Sequence, residues 1–138
     1  MPIQQLYRHA DWRGRLTTYL SQTAMRPFRP GRNDCALFVA GAIEAMTGED
    51  LARGWRGYRT LSEGRGTIAD AGFEDHVALV ADLLPEVAPA FAQVGDVAVL
   101  PGDEATALGV VQGENVFCLA PQGMVLVSRL EIQRAFRV

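Results

Sequence analysis

Gly31-Arg32-Asn33-Asp34-Cys35-Ala36-Leu37-Phe38-Val39-Ala40 is the stretch from which the rest of the chain can be read. Pro30 and Gly31 make a loop, Asn33 and Asp34 are capping types, and the apolar residues that follow recur at helical spacing, so a cysteine opens an amphipathic helix. Unpaired first-turn N–H groups and the positive end of the helix dipole favour a thiolate and can hold an oxyanion. Cys35 therefore has two readings: a reactive nucleophile, or a small buried residue on the apolar face of the helix. Asp34 is expected as the N-cap or as a loop-fixing side chain, and its carboxylate would oppose ionisation of the thiol. Asn33 is expected to support the same loop through side-chain hydrogen bonds.

Working outward, the central helix spans about 34–47 and stops at Gly48. Its small residues Ala36, Ala40, Gly41 and Ala42 allow close approach of another layer. Upstream, Trp12, Leu16, Tyr19, Leu20 and Thr23 predict a helix over about 10–24, ended by Pro27 and Pro30. Downstream come a short helical turn in 49–60, then helical patches over about 61–71 and 73–84, separated at Gly72 and closed by Pro85 and Pro89. Beyond Gln93 the pattern becomes β-rich, with runs at 94–100, 107–112, 116–120 and 124–127. Pro101-Gly102-Asp103, Gly113-Glu114-Asn115 and Pro121-Gln122-Gly123 divide them. That punctuation predicts an antiparallel meander, with a last turn or helix over 130–136. The expectation is one α+β domain over 1–138, with a helical half to about 92 and a β-meander from about 93, the Cys35 helix crossing one sheet face.

The 138 residues are 49% hydrophobic, enough for one core. Charge is nearly balanced, 13 basic against 16 acidic, which leaves no electrostatic footprint for nucleic acid or an anionic membrane. Every basic residue is Arg. The clusters at 13–32 and 53–59 read as solvated faces and salt bridges. Cys35 and Cys118 lack metal-ligand spacing, so no metal or cofactor is expected; a disulfide between them is compatible with the sequence, though nothing indicates an oxidising compartment. Residues 1–10 lack the charged-then-apolar run of a signal peptide, and no apolar run approaches a membrane span.

The order of elements resembles the papain-like NlpC/P60 superfamily of cell-wall peptidases. Asn33-Asp34-Cys35-Ala36-Leu37-Phe38-Val39 is similar to that family's Asp-Cys-Ser-Gly-Phe-Val signature. Val94-Gly95-Asp96-Val97-Ala98-Val99-Leu100 is similar to its Gly-Asp-Leu strand. Where the family has His-Val-Gly-Ile, this chain has Ala107-Leu108-Gly109-Val110, so the resemblance makes Cys35 the nucleophile and puts Ala107 where the base would stand. The third catalytic position falls near Cys118 or Leu119. More closely, the chain resembles a family of short proteins encoded among the tail genes of tailed phages and gene transfer agents. That likeness rests on the Asn33–Phe38 stretch, Thr47-Gly48-Glu49-Asp50-Leu51-Ala52, Arg56-Gly57-Tyr58, Gly95-Asp96-Val97-Ala98, Ala107-Leu108-Gly109 and Ala135-Phe136-Arg137-Val138.

The resemblance implies a phage tail or tail-tip structural or assembly protein on a degenerate NlpC/P60 scaffold, without hydrolase activity. It would be made in the host cytoplasm, reside in the virion tail and have other tail proteins as partners. The alternative is an active cysteine amidase or endopeptidase cutting peptidoglycan stem peptides during genome delivery. A remoter option is a small-ligand or thiol-transfer module using Cys35 covalently. An acyl transfer needs a proton delivered to the leaving amine, and Ala107 cannot supply one. His76 reads as a surface or helix-capping residue, the alternative being an unusual arrangement that swings it beside Cys35, and His9 lies near the start of the chain. Asp96 is expected to make a turn or cap a loop, and Cys118 alternates with Phe117 and Leu119 as a core strand residue. Trp55, Arg56 and Tyr58 form a Gly-flanked segment that is either core or the wall of a groove or interface.

Overall fold

A computed structural model describes residues 5–102 and 105–138. Four helices are followed by a sheet. The first, α1 (Trp12–Ala24), buries Leu16, Leu20 and Thr23 along one stripe, and α2 (Cys35–Thr47) is apolar nearly all round. Asp34 caps α2 at its start, and Gly48, at φ 82°, closes it in a left-handed turn that its missing Cβ makes cheap. Tyr19 of α1 lies over Gly41, stacks on Phe38 at 5.9 Å and donates to the Phe38 carbonyl at 2.8 Å, so the small residues of α2 do admit a second layer. Two shorter helices, α3 (Leu61–Asp70) and α4 (His76–Leu83), are capped by Thr60 and Asp75. The capping carboxylate of Asp75 sets the start of α4 at His76 and leaves Phe73 outside it.

The sheet is formed by β1 (Glu86–Val87), β2 (Val97–Leu100), β3 (Ala107–Gln112), β4 (Asn115–Ala120), β5 (Gly123–Ser128) and β6 (Arg134–Phe136). Its order is β1-β6-β2-β3-β4-β5 and each pairing is antiparallel. The meander β2 to β5 follows the expected runs; Asp103 of the first divider lies outside the described residues. The chain end differs from expectation: a 3-10 turn over Arg129–Glu131 is followed by strand β6, which slots between β1 and β2. Ala135 and Phe136 are fully buried there, and the two ladders satisfy a backbone that a helix would have left facing unpaired strands.

α2 crosses β3 and β4. Phe38, Val39, Ile43 and Met46 pack on Val97, Val99, Leu108, Val110, Leu119 and Phe136, making the larger core. The alternate residues Ala98, Leu100, Val111, Val116, Cys118, Ile132 and Ala135 form a second cluster, which is why β2 is buried along its whole length. Among the described residues no helix is long and apolar enough to cross a membrane.

Candidate functional site

The loop before α2 is held by side chains predicted to hold it. Asn33 donates to the Pro27 carbonyl at 3.1 Å, and Asp34, fully buried, accepts from Leu37 N–H at 3.0 Å through Oδ1 and from Gly31 N–H at 2.9 Å through Oδ2. The Tyr58 hydroxyl donates to the same Oδ2. Gly31 sits at φ 78°, and a Cβ there would overlap the Tyr58 carbonyl, so the loop and the Tyr58 segment close on each other only with glycine at 31. Burial and the Asp34 carboxylate push the Tyr58 phenol well above its ordinary range, so it remains a donor.

This capping adds one of several influences on the state of Cys35. The position at the helix start favours a thiolate, but the groups around the sulfur work against its ionisation. The neighbouring Cys118 sulfur, then burial, then the Asp34 charge push the Cys35 thiol well up, and only the Leu108 N–H works the other way. Asp34 occupies the anion-favouring end of α2 that would otherwise favour a thiolate. Instead, Cys35 Sγ accepts from Leu108 N–H at 3.0 Å and its S–H donates to the Leu108 carbonyl at 3.1 Å. The β3–β4 ladder ends at Val110 opposite Phe117, so Leu108 is paired only with β2, and the sulfur fills the split where β4 would have continued. Gly109 lies at the same split, where a Cβ would fall 2.6 Å from Val116 Cγ1 and 2.8 Å from the Phe117 carbonyl.

A cavity of about 640 Å³ opens beside the sulfur, walled by α2, α3, α4 and the ends of β3 and β4. Asp34, Cys35, Tyr58, His76, Ala107 and Cys118 all line it. Ala107, the first residue of β3, faces it with a methyl group and no proton carrier. His76 is a correction to the sequence reading. It is a half-buried wall of this cavity, as the first residue of α4. Its Nε2 is buried with no hydrogen-bond partner among the described residues. Burial pulls the His76 pKa down, against the Asp75 charge and a hydrogen bond to the Thr106 backbone, so the ring is neutral near pH 7. No hydrogen bond joins it to Cys35. Asp75 looks like a plain cap in sequence; as the cap, it puts His76 in the first turn of α4, the local signal that could have marked this residue.

The remaining predicted residues separate from the cavity or serve its walls. Trp55 lines the cavity, whereas Arg56 turns outward onto Asp50 in a bidentate pair at 2.8 and 3.0 Å. Asp96 is more than a turn residue. Fully buried, it accepts from Gln93 N–H at 2.8 Å and Val138 N–H at 3.1 Å, and pairs with Arg8 at 3.3 Å and Arg137 at 3.1 Å, tying both chain ends to β2. His9 donates its backbone N–H to Met46 and takes no part in the cavity. Among the described residues no group of three or more His, Cys, Asp or Glu is placed to hold a metal ion.

A family model described as a domain of unknown function, DUF6950, matches residues 7–138. No curated protein matches the chain.

Proposed function

From the premise that this chain belongs to the DUF6950 family, we propose that it is a papain-like module of NlpC/P60 type that has lost hydrolysis and serves as a structural or assembly component of a phage tail tip. The observation that supports this reading is the state of the thiol. Cys35 opens α2 against the sheet, as a papain-like nucleophile would, yet its sulfur is engaged by the Leu108 backbone and kept protonated, and Ala107 holds the place where the resemblance puts an imidazole. A protonated thiol with no adjacent base attacks an amide slowly, and removing one member of such a triad costs orders of magnitude in turnover. What remains is a stable scaffold whose loops, with Trp55 and Tyr58 beside the cavity, are offered to other tail proteins.

The test is digestion of purified muropeptides by the full chain, with Cys35→Ala as control, together with location of the chain in an assembled tail. The expected result is no turnover above the control and a defined position in the tail tip. Cys35-dependent release of stem-peptide fragments would overturn the reading.

One observation favours the hydrolytic alternative: His76 brings an imidazole with an unpartnered Nε2 to the same cavity, from α4 and not from β3. In that case Cys35→Ala and His76→Ala would each abolish fragment release.

A further inference from the structure

Cys35 and Cys118 come from α2 and β4, yet Cys35 packs against the apolar cluster that contains Cys118, and both are free thiols. The early end of the β3–β4 ladder brings them together. Cys118 pairs only with Val125 of β5, and Cys35 reaches through the split to pack against the apolar cluster on each side of the sheet. Both residues also line the 640 Å³ cavity, which gives a small reagent a route to the pair.

We propose that Cys35 and Cys118 form a dithiol that closes to an intramolecular disulfide by exchange with a small disulfide of the glutathione class admitted to the cavity. The Cys118 thiol gives up its proton, and the thiolate attacks one sulfur of R–S–S–R. The S–S bond breaks, and the departing RS⁻ takes up that proton to leave as RSH. Cys35, the resolving thiol, then attacks Cys118 Sγ in the mixed disulfide; a second RS⁻ departs and takes the Cys35 proton. Two protein S–H groups and one R–S–S–R become one protein S–S bond and two RSH, so the protein is oxidised and the small disulfide reduced. The order follows from the geometry, since the Cys35 S–H is given to the Leu108 carbonyl and its sulfur takes the Leu108 N–H, which leaves Cys118 as the attacking member of the pair. The inference is independent of whether the chain cleaves peptidoglycan.

The experiment equilibrates the purified full chain with graded ratios of reduced to oxidised glutathione, then reads intact mass and alkylatable thiols after denaturation. The expected result is a loss of two hydrogens in mass and of both alkylatable thiols, reversed by dithiothreitol, with one peptide carrying the Cys35–Cys118 link after digestion. Cys35→Ser retains a single bound glutathione on Cys118, whereas Cys118→Ser, which lacks the attacking thiol, stays unmodified. Should either variant fail to fold, the linked peptide from the unmutated chain decides the matter. Persistence of both thiols, glutathione on the unmutated chain without closure, or links only between separate chains would overturn the proposal.

Discussion

Replacing Asp34 with Ala removes one carboxylate that serves three donors, and the structure sets the size of the effect. The α2 N-cap bond to Leu37 N–H is lost, which costs about 1 kcal/mol. Gly31 N–H and the Tyr58 hydroxyl lose their acceptor in a buried or half-buried setting, at about 1–3 kcal/mol each, the hydroxyl nearer the lower figure because it can turn toward the cavity. The total is about 3–5 kcal/mol, a large share of the ~5–15 kcal/mol typical of a domain. Asp34→Asn keeps the Leu37 bond and can offer its NH2 to the Tyr58 oxygen, leaving only Gly31 N–H against a donor, so about 1–2 kcal/mol is expected. Urea unfolding followed by far-UV circular dichroism measures both, with the midpoint shifting and the slope unchanged. Tyr58→Phe supplies the internal control: in that background Asp34→Ala should cost less by about 1 kcal/mol. An Asp34→Ala penalty under about 0.5 kcal/mol, or additive costs for the two substitutions, would refute the argument that this carboxylate organises the loop before α2.

Other consequences can be measured on the same protein. Because burial lowers the His76 pKa, the unfolded chain takes up its proton first as pH falls through the ordinary imidazole range near 6.5. Stability is therefore full above that range and declines below it; in His76→Gln this part of the decline should vanish, and an unchanged pH profile would contradict it. Asp96→Ala leaves Arg8 and Arg137 without their buried partner and frees Val138 N–H, so a loss of about 3–5 kcal/mol is expected in urea unfolding, with faster amide exchange in β6. Gly109→Ala forces a methyl group against Val116 and the Phe117 carbonyl, at about 1–3 kcal/mol, and should widen the β3–β4 split enough to raise the alkylation rate of Cys35.

The parts of the fold legible in the sequence are those whose causes are local. Asp34 and Gly48 bracket α2 through their own side chain and backbone freedom, and the Gly113 and Gly123 turns punctuate β3, β4 and β5. The very short strands β1 and β6 escape such reading, because two or three residues carry no period. Arg134-Ala135-Phe136 becomes a strand only because β1 and β2 leave a space one strand wide. His76 and Cys118 escape for the same reason. Each looks ordinary in its own element, a helix start and a buried strand position, and each acquires its neighbour through the docking of α4 or the parting of β4 from β3. Gly109 was the available hint, since a glycine inside a strand marks close backbone approach.

The most informative balance is at the helix that the opening stretch announces. A cysteine at a helix start is expected to be acidic because the terminal N–H groups have no other anion to serve. Here Asp34 serves the Leu37 N–H and adds a negative charge beside the sulfur, so the same capping that makes α2 recognisable in the sequence raises the thiol it presents. The two features of Asn33-Asp34-Cys35 therefore oppose each other. The thiol is carried into the sheet, to the Leu108 backbone and the Cys118 sulfur, and the chemistry available to it is set by that second sulfur more than by the helix. Asp34→Asn tests this separation: neutralising the cap should lower the pH at which Cys35 alkylates while its contact with β3 persists, and an unchanged alkylation profile would assign the raised thiol to Cys118 and burial alone.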